Sequence, residues 1–386
     1  MNKYFLGGMT AFGFSTKFGE MINAPGNYTY ILKGGPGTGK STLMKKVAAH
    51  FKADESTLYY CASDLKSVDA VSIKAKTADN SIIIVDGTSP HVFEAQLPGV
   101  AQCIINLGDY WHKDKLEPHS AQIRALTKEN QKHHRRARRL IAAFTQIKDS
   151  VYEQARENLK LNPLEKAVAR LMGEHDGVKK EGKISYKQLS AMTERGYMTL
   201  PVSGYKKIAF IDKSGAAAVA ALEKIAVMSI LQGYDIILSK CEMYSRSTPE
   251  HILIPDLKLM FSCSPSESAA CADETAISEC ECAVEHRLID CQEFYLTGEP
   301  PVAAGEPPVA ATEQPVTDFG ERPVATAEPP EFKLLETLEA GISACIKDAL
   351  KVHDELEKFY IAALDTQALE NLTQQIISEI AERAFI

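Results

Sequence analysis

One eight-residue segment constrains this chain more than any other. It reads Gly34-Gly35-Pro36-Gly37-Thr38-Gly39-Lys40-Ser41 and fits the pattern G-x-x-x-x-G-K-S. The aromatic and β-branched run Tyr28 to Leu32 precedes it and predicts a buried strand. Apolar residues with helical spacing follow it at positions 43, 44, 47, 48 and 51. A chance glycine-rich turn needs neither flank, so the strand–loop–helix setting makes the match specific.

Each residue type in the segment suits the binding of a polyphosphate. Glycines permit positive φ, so successive backbone N–H groups can point into one concavity. The helix that follows adds unpaired N–H groups and the positive end of its dipole. Lys40 is expected to reach the β- and γ-phosphates, and the Ser41 hydroxyl to bind Mg²⁺. We therefore predict a site for ATP with Mg²⁺ formed by Gly34, Gly35, Pro36, Gly37, Thr38, Gly39, Lys40, Ser41 and Thr42.

A second signal is the continuous β-branched run Ser81 to Asp86, which ends in an acid. Such a run predicts a central parallel strand buried on both faces. Asp86 would emerge at the carboxyl edge of the sheet and hold Mg²⁺ through water, although an aspartate there could simply cap a turn. Lys40 and Asp86 are the first candidates for catalytic roles. Asp64 and His91 follow strands and are further candidates, but such residues more often form turns.

The sequence says less about the reaction than about nucleotide binding. Position 87 is glycine, where many ATPases place a water-activating glutamate, so we expect slow hydrolysis of ATP. ATP is preferred to GTP only by default, because no Asn-Lys-x-Asp element for guanine is present. Two alternatives stay open: a phosphotransferase acting on a small acceptor, and a non-hydrolysing nucleotide sensor or regulatory protein.

Three stretches carry a resemblance: Phe5 to Thr10 (FLGGMT), Ile31 to Lys46 (ILKGGPGTGKSTLMKK) and Val85 to His91 (VDGTSPH). They resemble a little-studied family of bacterial P-loop ATPase-like proteins built from two tandem P-loop halves. The resemblance covers most of the chain apart from a proline-rich stretch. It implies an α/β P-loop NTPase fold, with a mostly parallel sheet flanked by helices in each half and long helices added.

An internal repeat agrees with a tandem architecture. Leu6 to Phe14 matches Leu189 to Tyr197, and Tyr28 to Ala48 matches Lys206 to Ala226. Later strands follow in the same order, so residues 186–297 are predicted to form a second P-loop-like α/β domain. An unrelated α/β domain is the alternative.

The second copy of the loop lacks the chemistry of the first. On this alignment Ala218 replaces Lys40, and Phe261 or Ser262 stands where Asp86 would be. Without a lysine or an acid at these positions, we predict that the second half binds no triphosphate.

The remaining segments define the domain limits. Residues 1–112 are predicted to be the nucleotide-binding domain, and the polar, helix-forming residues 113–172 a long helical extension lying against it. Residues 298–331 repeat Gly-Glu-Pro-Pro-Val-Ala-Ala and predict a disordered linker. Residues 332–386 return to helical spacing and are expected to pack on the second half.

Composition narrows the partners and the compartment. The net charge of −8 argues against nucleic acid as the main partner. The longest apolar stretch, Ala216 to Leu231, contains Glu223 and Lys224 and is too short for a membrane span. Nine cysteines, an odd number, and the lack of a signal-peptide pattern favour a reducing cytoplasm. The expected partners are ATP and an unidentified protein or small molecule.

Overall fold

Two halves, each a six-stranded sheet flanked by helices, make up the computed structural model. The predicted α/β class with mostly parallel strands is confirmed at this level. The linker prediction for 298–331 falls almost wholly outside the described residues. These are 2–16, 18–52, 55–75, 80–89, 92–173, 177, 180–265, 286–296 and 329–385.

The first half contains the sheet with order β1-β5-β6-β7-β4-β8. Strand β6 runs antiparallel to both its neighbours, and the other pairs are parallel. The sheet is therefore mixed. In chain order the elements are β1 (Asn2–Phe5), β2 (Gly8–Thr10), β3 (Gly13–Ser15), α1 (Phe18–Ile22), β4 (Tyr28–Lys33), α2 (Lys40–His50), β5 (Ser56–Tyr60), β6 (Val68–Lys74), β7 (Ser81–Asp86) and β8 (Gln102–Asn106).

Strand β7 shows why the β-branched run is central. It pairs with β4 on one side and β6 on the other, as the prediction of a buried strand requires. Ile82 and Ile84 belong to the core that includes α2, whereas Ile83 and Val85 pack in a core shared with Leu253 of the second half. Both faces of the strand are thus covered, which explains why its sequence does not alternate between polar and apolar residues.

The second half has the same sheet order, β9-β13-β14-β15-β12-β16, with β14 antiparallel to its neighbours. Its hairpin also repeats the first: Thr10 Oγ1 donates to Gly13 O at 2.8 Å, and Thr193 Oγ1 to Gly196 O at 2.9 Å. The two halves are therefore alike, as the repeat predicted. The elements are β9 (Ile184–Tyr186), β10 (Ser190–Thr193), β11 (Gly196–Thr199), β12 (Lys206–Ile211), α6 (Ala216–Leu231), β13 (Ile236–Cys241), β14 (Thr248–Ile254), β15 (Leu259–Ser264) and β16 (His286–Asp290).

Long helices follow each sheet. After the first come α3 (Lys113–Leu116), α4 (Ser120–Glu157) and α5 (Leu161–Gly173), and after the second come α7 (Pro330–Ala362) and α8 (Thr366–Phe385). Helices α4 and α7 pack along each other. None of the helices in the described part of the chain combines the length and apolarity that a bilayer crossing requires.

The first set of long helices packs mainly on the second half. Ile141 and Phe144 of α4 belong to a core with Phe210 and Phe261 of the second sheet, and α5 packs on α6. We expected residues 113–172 to lie against the first half, and this expectation is corrected. The apolar stripe of a helix shows which face is buried, but it does not show which sheet covers that face.

The last helix, α8, follows the second sheet but packs on the first half. Ile376 and Ile380 of α8 belong to the core of the first half with Leu43 and Val47 of α2. The expectation that residues 332–386 pack on the second half holds only in part, because α7 contacts β10 and β11 while α8 contacts α2. Each sheet is therefore covered by a helix that follows the other sheet in sequence.

Candidate functional site

The glycine loop, residues 34–41, joins β4 to α2 with an unusual backbone. Gly37 and Gly39 have φ of 65° and 77°, a region that L residues with a side chain seldom adopt. Gly39 is the N-cap of α2, and no side chain caps the helix there. The first N–H groups of α2 therefore lie at the loop without a capping side chain, as an anion site requires.

Lys40 contacts both this loop and Asp86, one of the two predicted Mg²⁺ ligands. Lys40 Nζ donates to Gly34 O at 2.7 Å and to Gly35 O at 2.8 Å, and it lies 3.6 Å from Asp86 Oδ2. Ser41 Oγ, one residue further along α2, accepts from the Val68 N–H at 2.9 Å. The structure thus brings Lys40 and Asp86 together, although they are distant in sequence.

The predicted acidic residues Asp86 and Asp64 each accept hydrogen bonds within a turn. Asp86 Oδ1 accepts from the Thr88 N–H at 2.9 Å, so its carboxylate also caps a turn. Asp64 accepts from the Lys66 N–H at 3.0 Å and is engaged in its own turn between β5 and β6. His91 lies outside the described residues. Of the three catalytic candidates that the structure describes, Lys40 and Asp86 are brought into contact and Asp64 is not.

A carboxylate that sequence reasoning missed also contacts the loop. Glu357 Oε1, near the end of α7, accepts from the Gly37 N–H at 3.0 Å and lies 3.4 Å from His353 Nε2. The hydrogen bond with His353 lowers the pKa of Glu357, with smaller contributions from the Gly37 N–H and the Lys40 charge. A carboxylate therefore uses one of the N–H groups that a phosphate oxygen would use.

Aromatic residues flank the same loop. A Cβ built on Gly35 would lie 3.1 Å from the Trp111 ring, and Trp111 contacts Tyr360 of α7 with ring centroids 4.8 Å apart. The Trp111 indole N–H is buried and has no hydrogen-bond acceptor in the described part of the chain. No local signal marked Trp111 or Tyr360, because each reaches the loop from a distant element.

The corresponding loop of the second half is shorter. Four residues, 212–215, join β12 to α6, whereas six residues, 34–39, join β4 to α2. Gly215 is the left-handed N-cap, with φ of 83°, so Ala216 matches Lys40 where the alignment had placed Ala218. The strand register likewise puts Cys263, not Phe261 or Ser262, in the place of Asp86.

An internal carboxylate fills this second loop. Asp212 is 3% exposed, and its Oδ2 accepts from the N–H groups of Ala217 at 2.8 Å and Ala218 at 3.1 Å. The Tyr295 hydroxyl donates to the same oxygen at 2.8 Å. The carboxylate of the protein itself therefore accepts from the first N–H groups of α6.

The two loops differ in the side chains that they present. Lys40, Ser41 and Asp86 are presented at the end of β4 and β7 beside an uncapped helix start. In the second half Ala216, Ala217 and Cys263 stand at the comparable places, and the Asp212 carboxylate accepts from the helix start. No model of a protein family, no curated protein and no solved structure matches this chain.

Proposed function

We propose that this chain is a Mg²⁺-dependent P-loop NTPase that binds and hydrolyses ATP through its first half, as the resembled family of tandem P-loop proteins implies. The observation that carries the proposal is the convergence at the glycine loop. Left-handed glycines, an uncapped helix start, Lys40 and Asp86 lie together at one edge of the sheet. In P-loop NTPases these features bind the triphosphate and its metal.

The residues present fit Mg²⁺ with ATP. The loop N–H groups would hold the phosphates, and Lys40 would exchange its hydrogen bonds with Gly34 and Gly35 for phosphate oxygens. Ser41 would bind Mg²⁺ directly and Asp86 through water, and the bound metal supplies charge neutralisation at the phosphates. The buried Trp111 N–H beside Gly35 is a donor whose acceptor a bound ligand could provide.

The second half is proposed to bind no nucleotide. Asp212 already neutralises the start of α6, and a triphosphate there would meet a buried negative charge. One nucleotide per chain is therefore expected. For the reaction, Gly87 is the observation that favours a non-hydrolysing sensor as the second candidate, because the position after Asp86 carries no base.

Binding is tested with the only tryptophan of the chain, Trp111. Addition of ATP with Mg²⁺ should change its fluorescence, and calorimetry should give one site per chain. Lys40→Ala should weaken binding about tenfold or more, because a charged hydrogen-bond donor is lost. Lys45→Ala, exposed on the same helix, is the matched control and should bind normally. Absence of both signals for every purine nucleoside triphosphate, with or without Mg²⁺, would reject the proposal.

The reaction is then assigned by comparing ADP formed with phosphate released. Equal amounts indicate hydrolysis and support the proposed activity. ADP without free phosphate indicates transfer to an acceptor, and saturable binding without ADP indicates a sensor. Either of these two results would reject hydrolysis but would still support the proposed nucleotide site.

A further inference from the structure

A cavity lies between the two halves, lined by the ends of the edge strands β1 and β9 and the residues that follow them. The Phe5 N–H, at the end of β1, donates to the Gln188 carbonyl at 2.7 Å. The cavity has a volume of about 520 Å³, enough for a small organic molecule. Its described lining includes no residue of the glycine loop, and aromatic rings form much of its wall. They include the rings of Phe5, Phe14, Phe18, Tyr59 and Tyr186.

The most informative lining residue is Lys187, directly after β9. Its Nζ donates to the Tyr59 hydroxyl at 2.6 Å and lies 5.1 Å from the centre of the Tyr59 ring and 5.8 Å from that of Tyr4. No acidic side chain within the described residues pairs with it, and burial lowers its pKa to about 8. A partly buried ammonium group without an anion is unfavourable, so an anionic occupant would stabilise it.

The fold itself does not require a lysine at this position. In the repeat, Leu189 matches Leu6, so Lys187 matches Tyr4. Tyr4 lies in β1, Lys187 directly follows the equivalent edge strand β9, and its Nζ lies over the Tyr4 ring. The first half has an uncharged tyrosine at this position and still forms the same fold. The positive charge of Lys187 is therefore not needed for the fold, and we attribute it to the cavity.

The rest of the lining has a positive balance. Lys240 and Arg246 also line the cavity, while the one carboxylate in its described lining is Glu242. Arg246 is paired with Glu153 at 2.6 Å, and the charge of Lys240 acts on Glu242, whereas no acidic side chain in the described part of the chain pairs with Lys187. Burial raises the pKa of Glu242 to about 7, so near neutral pH this carboxyl group is partly protonated and opposes an anion less.

We propose that this cavity binds a small organic anion with an aromatic or apolar body, whose acid group accepts a hydrogen bond from Lys187. The aromatic wall would cover the body of the ligand, and Lys187 would fix the orientation of its charged end. The site is distinct from the glycine loop and does not depend on the proposed nucleotide binding.

The probe for this site is 8-anilinonaphthalene-1-sulfonate, an aromatic sulfonate that becomes fluorescent in apolar surroundings. The folded protein should bind it saturably. Lys187→Met should weaken that binding about tenfold or more, because the hydrogen bond to a charged group is lost, whereas Lys187→Arg should retain most of it. Lys166→Met, exposed on α5, is the control and should bind as the wild type does. Circular dichroism verifies that each variant is folded.

Competition defines the ligand chemistry. Phenyl phosphate should displace the probe, while phenol and inorganic phosphate, which have only one of the two features, should not. Lys40→Ala should bind the probe normally, so failure here and failure at the glycine loop are separable. The proposal is overturned if folded Lys187→Met binds the probe like the wild type, or if phenol competes as well as phenyl phosphate.

Discussion

At the scale of single residues, Lys187 has a consequence for stability. Its pKa is about 8 in the folded chain, below the 10.5 of an unperturbed lysine, because burial disfavours the charge. The folded state therefore loses stability below pH 8, where the buried group is charged, and regains it as the pH rises from 8 toward 10.5. A variant without this amine lacks that dependence.

Lys187→Met should therefore gain stability relative to the wild type, and this gain should be larger at pH 7 than at pH 10. The difference in free energy of unfolding between the two proteins should shrink by about 2 kcal/mol over this interval. The pH-dependent part of the hydrogen bond to Tyr59 is already contained in the pKa of Lys187, and burial keeps the pKa of Tyr59 far above this range. Guanidinium unfolding at the two pH values measures the difference, and a constant difference would contradict the prediction.

The residues of the glycine loop were predictable, but those that cover it were not. Lys40, Ser41 and their glycines form a local pattern, and Asp86 ends a strand whose composition marks it as central. Glu357 is 320 residues away from Gly37 and carries no pattern that ties it to the loop. Only the packing of α7 brings it there, and sequence periodicity does not encode that packing.

At the scale of elements, the end of α7 competes with the proposed nucleotide. Glu357 accepts the Gly37 N–H and places a negative charge beside the loop. Glu357→Gln removes that charge, so ATP affinity should rise roughly three- to tenfold. Trp111 fluorescence titration measures the change. Glu355→Gln, in an exposed pair with Lys358 on the same helix, is the control. Equal affinity, or a loss of affinity in Glu357→Gln alone, would show that the carboxylate does not compete.

Other elements show where sequence reasoning ended. The repeat predicted two similar halves, because matched strands and helices recur in the same order. Strand β6, Val68–Lys74, was not predicted, and it is the strand that makes the first sheet mixed. The two-residue shortening of the second loop was also missed, because its alanines align equally well at several registers. Only the position of Gly215 fixes the register.

At the scale of the whole molecule, the exchange of helices joins the two halves. Helix α5 covers α6 of the second half, and α8 covers α2 of the first. Neither sheet is covered only by helices of its own half, so opening one half exposes apolar surface of the other. The sequence could not predict this exchange, because a long connection permits a helix to return to its own sheet or to cross to the other.

The exchange predicts that the halves unfold together. Leu164 of α5 is 2% exposed in the core of the second half, and Ile376 of α8 is 1% exposed in the core of the first. Replacing either by alanine should cost about 2–5 kcal/mol. Trp111 follows β8 and contacts Tyr360 of α7, so its fluorescence reports on the first half and the end of α7, while far-UV circular dichroism reports on the whole chain.

In guanidinium, the two signals should therefore coincide for the wild type and shift together in both variants. The discriminating case is Leu164→Ala, whose cavity lies in the half without tryptophan. If the halves are coupled, it lowers the midpoint of the Trp111 transition as much as that of the circular dichroism transition. If Trp111 fluorescence keeps its wild-type midpoint in this variant, the halves unfold independently, and the exchanged helices do not bind them into one cooperative unit.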